Sequence, residues 1–256
     1  MPGSNPLTRL EMLGYVSYAI PLTGFSAAIT SLVPPYYAEE LGLSLAAVGG
    51  IFFLLRVFDA VTDPAMGWLL DRHPFRQQHK PWLLISLPAF LLGIGLLFFP
   101  IRAWVGVPYL LGAGFVSYGA YTIGLVTHQA WGASLVRDPL SLSRLMGIRE
   151  LGVIAGILGV FLAPAIAEGL GYEGLGAKVA SAAGFLLVCF LIFTPASLYF
   201  APDEPGVVQS IPVDFSSARE FVLGREFILV SVANLATSYS MVTLSVLSYF
   251  VAAYVF

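Results

Sequence analysis

Arg56-Val-Phe-Asp59-Ala-Val-Thr62-Asp63-Pro-Ala-Met-Gly67-Trp-Leu-Leu-Asp71-Arg72 is the stretch that decides the fold. It lies in an apolar run, about 46–70, long enough for the roughly 20 residues that a membrane-crossing helix needs. It nevertheless carries three charges. A charge at mid-membrane costs at least ~2.5–3.5 kcal/mol, so it is kept where it faces protein, water or a ligand. At about 100° per residue, positions 56, 59 and 63 fall within an arc of about 60°. One cation and two carboxylates therefore share a helix face that cannot point at lipid.

The composition agrees. Of 256 residues, 58% are hydrophobic and 11% charged, against roughly 25% charged in a soluble domain. Mean hydropathy is +0.85. The fold class is all-α, a polytopic membrane protein. The net charge of −3, with basic residues scattered, carries no nucleic-acid signal. The single cysteine, Cys189, rules out an internal disulfide. The first apolar run exceeds the ~7–15 residues of a signal-peptide core and reads as an uncleaved span.

Seven stretches are long and apolar enough to span: about 12–37, 46–70, 81–100, 107–134, 143–167, 176–200 and 227–256. The first six make a bundle over 1–200. A segment at 201–226 follows, acidic and Pro-rich at Ala201-Pro-Asp-Glu-Pro205, then amphipathic from Phe215 to Leu223. The seventh span, 227–256, reads as the first helix of a second bundle. Eight Lys and Arg (Arg9, Arg72, Arg76, Lys80, Arg137, Arg144, Arg219, Arg225) fall in the loops of one side and two (Arg102, Lys178) on the other. The N-terminus and the 201–226 segment are therefore expected on the cytoplasmic side. Gly152, Gly156, Gly159 and Ala163 form a small-residue stripe on the fifth span, the pattern of close helix packing.

Asp59 and Asp63 stand one turn apart, about 5–6 Å at Cβ. In a low dielectric both stay ionised only if a cation intervenes: Arg56, a bound Na⁺, or a proton on one carboxyl. Such an exchange at mid-membrane is what cation-coupled transport requires. The plainer reading of Arg56 is an ion pair that pins two helices. Asp63-Pro64 predicts a kink that frees backbone carbonyls. Thr127-His128-Gln129-Ala-Trp131 on the fourth span reads either as an interhelix hydrogen bond with an interfacial Trp, or as a substrate contact. Arg149-Glu150 reads as interfacial snorkelling or as the mouth of a cavity. No phosphate-cradling loop, HExxH or nucleophile elbow is present in the sequence, so nothing in it points to an enzyme or a bound cofactor.

Gly67-xxx-Asp71-Arg72, with Arg76, resembles the loop 2–3 signature of the major facilitator superfamily. Arg56-x-x-Asp59-Ala-x-x-Asp63-Pro-x-Met-Gly67, then Lys80-Pro81-Trp82, resembles the glycoside–pentoside–hexuronide:cation symporters, which include the melibiose permeases. His128-x-Ala-Trp-Gly-Ala-x-Leu135, Arg144 and Arg149-Glu150 are similar to the helix 4–5 region of that family. The resemblance implies two six-helix halves with alternating access, of which this chain would hold the first half and one further helix. It implies an inner-membrane transporter, coupled to H⁺ or Na⁺, for a small polar solute such as a sugar or glycoside. Asp59, Asp63 and Thr62 would bind the cation, with Arg56 balancing charge. His128, Trp131, Arg149, Thr127 and Thr23 would face the substrate. Gly67, Asp71 and Arg72 would latch the cytoplasmic side. The aspartates that hold sugar in melibiose permeases correspond to Thr23 and Thr127, Thr62 replaces an asparagine, and Gly124 replaces a helix 4 threonine; H⁺ is thereby left open beside Na⁺. A lysolipid symporter of the same superfamily and a truncated, non-transporting membrane protein are the rival expectations, the latter because the other half of the pathway is expected beyond Phe256.

Overall fold

The computed structural model describes residues 7–72, 78–136, 138–203, 223–237 and 240. Among them are six helices long and apolar enough to cross a membrane: α1 Arg9–Glu40, α2 Leu45–Arg72, α3 Lys80–Phe98, α4 Val107–Leu135, α5 Pro139–Gly169 and α6 Leu175–Phe200. Their ends follow local chemistry. Thr8 and Glu11 form a capping box at the start of α1. Asp138 accepts a bond from Ser141 N at 2.8 Å, with Pro139 following in the first turn of α5. The bonds from Ser141 hold the Asp138 carboxyl below the usual carboxylate range. Pro34 and Pro35 have no N–H to continue the ladder, and the last turn of α1, Tyr36–Glu40, widens to a π-helix.

The helices pack in a pattern with internal order. α1 lies against α5 and α6, and α4 lies against α2 and α3. If α1–α3 is one unit and α4–α6 its repeat, these two sets of contacts are the same set. Three spans is an odd number, so the second unit crosses in the opposite sense, as in transporter folds built from inverted repeats. α3 against α6 joins the units.

The small-residue stripe works as close packing. A Cβ at Gly152 would meet the Val16 carbonyl oxygen at 2.9 Å, and one at Gly156 would strike the backbone of Ile20 and Gly24. A Cβ at Gly159 would strike the Phe185 ring of α6. The absent side chains let α5 lie directly on the α1 backbone. The core is aromatic: Phe25 meets Phe90 edge-on at 4.9 Å, and Phe90 stacks on Phe190 at 4.3 Å, joining α1, α3 and α6. Trp82 of the Lys80-Pro81-Trp82 motif closes a second cluster with Met66 and Leu70 of α2.

A second unit, Gln209–Phe256, separates from Met1–Val208 inside the 201–226 segment. Its residues 225–237 are helical, two residues ahead of the expected start at 227. The rest of that span apart from residue 240, and the amphipathic piece apart from Leu223, lie outside the described residues.

Candidate cation and solute site

α2 runs as one helix through Pro64. Pro64 has no N–H, so the Ala60 carbonyl, four residues back, loses its intrahelical donor. The helix thus continues across the Asp63-Pro64 step at which a kink was expected. Arg56, Asp59, Thr62 and Asp63 follow one another along a shared side of α2. The Asp59 side chain is 13% exposed, and its Oδ2 pairs with Arg56 Nη1 at 3.6 Å. Thr122 of α4 donates its hydroxyl to Asp59 Oδ1 at 3.0 Å. Thr62 and Thr122 bring their hydroxyl oxygens within 3.3 Å, and Thr62 also reaches the Phe58 carbonyl at 3.0 Å. Asp63 Oδ1 is buried and accepts no hydrogen bond among the described residues.

Two carboxylates and two hydroxyl oxygens make a donor set of oxygens alone. Hard cations such as Na⁺ take oxygen ligands. A proton on one carboxyl would relieve the same repulsion. Arg56 satisfies only part of the negative charge, because it is one cation beside two carboxylates and its side chain is 55% exposed.

Thr122 is a member that sequence reasoning missed. Register along α4 pointed to Gly124, but a Cβ at Gly124 would meet Tyr18 Oη and Phe90 Cε2 at 2.8 and 2.9 Å. That face turns toward α1 and α3. Thr122, two residues earlier, is turned toward α2. The available signal was a threonine within a span, on a helix able to reach the charged face.

The expected substrate residues fall into two groups. His128 is 1% exposed and Trp131 is wholly buried. His128 stacks on Tyr15 with ring centroids 4.3 Å apart, and its Nε2 lies 3.0 Å from the Tyr15 carbonyl. That oxygen can only accept, so Nε2 carries the proton. Tyr15 returns a bond from its hydroxyl to the His128 carbonyl at 3.1 Å. Trp131 meets Tyr15 edge-on and donates from Nε1 to the Pro202 carbonyl at 2.9 Å. Thr23 donates to the Ala19 carbonyl at 2.7 Å and lies 3.2 Å from that of Val153. These three side chains are engaged in binding helices to one another. Thr127 Oγ1 and Arg149 Nε differ: both are buried and make no hydrogen bond among the described residues. Arg149 pairs with Glu150 at 3.4 Å and is 18% exposed.

At the C-terminal end of α2, Asp71 and Arg72 are exposed, and the Arg72 guanidinium lies 4.6 Å over the Trp68 ring. Arg76 lies outside the described residues. At the same end of the bundle, Asp203 accepts bonds from the backbone N–H groups of His79 (3.0 Å) and Lys80 (3.0 Å), and lies 3.3 Å from His79 Nδ1. Burial alone would raise the Asp203 carboxyl, but these bonds outweigh it and hold the group below the usual range.

Comparison with known proteins agrees with the fold. The family model described as MFS/sugar transport protein matches residues 14–256. The chain is 30% identical over 213 residues to "Putative glycoside/cation symporter YagG" of Escherichia coli (strain K12), covering 78% of this chain and 46% of that protein. It is 28% identical over 185 residues to "Inner membrane symporter YicJ" of the same organism, covering 65% and 38%. It is 28% identical over 195 residues to "Sodium-dependent lysophosphatidylcholine symporter 1-B" of Danio rerio, covering 68% and 36%. The chain thus spans less than half the length of the curated relatives it matches. An all-helical six-span bundle, a charged face on α2 and a family match over nearly the whole sequence lead to one assignment. The chain belongs to the MFS/sugar transport family, which includes the glycoside–pentoside–hexuronide:cation symporters.

Proposed function

We propose that this chain forms the cation-binding part of a secondary transporter that couples H⁺ or Na⁺ entry to movement of a small polar solute, a sugar or glycoside. The observation that carries the reading is the α2–α4 face, where Asp59, Asp63, Thr62 and Thr122 converge and a buried carboxylate oxygen has no partner. A buried acceptor left open is costly unless a cation or proton completes it. Asp59 and Asp63 bind the coupling cation, Thr62 and Thr122 supply hydroxyl oxygens, and Arg56 balances charge. Thr127 and Arg149, with their open buried atoms, are the sequence-derived solute contacts that the geometry favours; Thr23, His128 and Trp131 hold the wall behind them. Gly67, Asp71 and Arg72 act at the cytoplasmic latch, with the N-terminus on that side and the bundle in the inner membrane. The other half of the pathway is supplied by a second six-helix bundle.

Asp59→Asn in the full-length transporter tests this. Cation-dependent uptake is expected to vanish while membrane insertion persists; unchanged cation dependence would overturn the assignment. A lysolipid solute is the second reading, favoured by the similarity to the lysophosphatidylcholine symporter. Uptake of lysophosphatidylcholine in place of glycosides would select it.

A further inference from the structure

Tyr118 of α4 is 4% exposed, and no sequence motif singled it out. Its place follows from the packing of α2 on α4. A Cβ at Gly114 would strike the Leu55 side chain, so Leu55 sits in a notch in α4. Phe58 meets Phe115 edge-on at 4.9 Å. Further along, Thr122 donates to Asp59. Gly114, Tyr118 and Thr122 are spaced four residues apart and therefore share one face of α4. Tyr118 stands midway between the Leu55 notch and the threonine that holds Asp59. The Arg56 guanidinium lies there, 5.7 Å from the Tyr118 ring centroid. That is within the roughly 6 Å over which a ring face attracts a cation.

The Tyr118 hydroxyl is buried and has no hydrogen-bond partner among the described residues. What this residue gives Arg56 is therefore its ring and not its hydroxyl. The Arg56–Asp59 contact has the form expected of a shared guanidinium. At 3.6 Å it is longer than a charge-assisted hydrogen bond, about 2.7–2.9 Å. It joins one nitrogen to one oxygen, although the guanidinium fork could make two parallel bonds. The other carboxylate oxygen of Asp59 goes to Thr122.

We propose that Tyr118 is a positioning residue for the coupling cation: its ring face holds Arg56 in a loose contact with Asp59 and prevents a close two-bond pair. A close pair would cover both Asp59 oxygens with a tethered cation, in competition with Thr122 and with a free cation. The loose contact offsets charge yet leaves Asp59 oxygens open to a ligand. Arg56 is then a weak built-in counter-ion, and the ring sets how weak.

The inference rests on the cation site proposed above, and the test separates the two. The thermal unfolding midpoint of full-length transporter in detergent is followed against NaCl, with choline chloride holding ionic strength constant. Where sodium has no effect, it is followed against proton concentration. A cation that binds the folded protein raises the midpoint, so half-saturation is read without transport. Tyr118→Leu and Tyr118→Met remove the ring and are each expected to raise the half-saturating concentration about fivefold. Tyr118→Phe keeps the ring and is expected to stay within about twofold of the parent protein. On an Arg56→Gln background, Tyr118→Leu should add less than about twofold, because the cation that the ring holds is gone.

Three results would overturn the inference and leave the cation site standing. The first is a shift within about twofold in every ring-less variant that folds. The second is a shift in Tyr118→Phe as large as in Tyr118→Leu. The third is failure of both ring-less variants to fold, which makes Tyr118 a packing residue. A midpoint that responds to neither cation, or that responds in Asp59→Asn as in the parent, would overturn the cation site itself, and this inference with it.

Discussion

Two polar regions of the bundle differ in what their atoms have left to do. At the Tyr15–His128–Trp131 knot, the His128 ring nitrogen, the Tyr15 hydroxyl and the Trp131 indole N–H each have a backbone partner. At the α2–α4 face, Asp63 Oδ1 has none among the described residues, and Arg56 compensates one carboxylate of two. Both regions put polar side chains in an apolar bundle, yet they differ in saturation. The knot is complete and holds α1, α4 and the chain after α6 together. The face is incomplete and leaves work for a ligand. Polarity within a span therefore marks a residue as restrained; an open hydrogen-bonding atom is what marks it as a binding residue.

Substitutions can break or sharpen this contrast. The largest effect is expected from Asp59→Asn, which removes the charge that both Arg56 and Thr122 address; cation-dependent uptake falls to background, while thermal stability in detergent changes little. A large loss of stability there would place the face with the knot. His128→Ala is expected to do the reverse. It leaves the Tyr15 carbonyl unpaired and a void under the ring, at about 2–3 kcal/mol. Thermal unfolding should fall by several degrees, and cation affinity of the folded fraction should hold.

Thr122→Val is a smaller, sharper change of nearly constant shape. Loss of a hydrogen bond to a charged group, at the low end about 1.5 kcal/mol, corresponds to about tenfold in cation affinity; cation titration of solute uptake reads it. Smaller again is Asp203→Asn, which keeps an acceptor but drops the charge, costing about 1 kcal/mol. The sign with pH is fixed by the depressed carboxyl. Stability from Asp203 is present above the ordinary carboxylate pKa of about 3.9 and is lost as pH falls through the lower folded value. Thermal unfolding followed from pH 6 down to 3 should show less acid sensitivity in Asp203→Asn than in the parent protein.

Much of the fold was legible because lipid imposes a simple rule. Apolar runs of spanning length became six helices, with starts and ends within about four residues of those expected, since neither charge nor an unpaired peptide group is tolerated in hydrocarbon. The Gly152–Gly156 stripe was also legible, because small residues at i and i+4 share one helix face. The site contacts were less so. Thr122 was missed, and Gly124 was read as the place of a lost threonine, since register along α4 carries no information on which neighbour each face meets. His128 and Trp131 drew attention by residue type, but their partners, a carbonyl on α1 and another after α6, are more than 70 residues away in sequence.

Sequence by itself determined that the chain crosses a membrane several times, and that Arg56, Asp59 and Asp63 share one side of α2. Hydropathy and helical period are local properties, and both follow from residue order alone. Tertiary structure decided which polar groups are already satisfied. It set Thr122 against Asp59, tied His128 to Tyr15, and left Tyr118 and Asp63 each with a buried oxygen that has no partner among the described residues. A hydrogen bond depends on two atoms meeting within about 3 Å, and atoms on different helices meet only when the bundle packs.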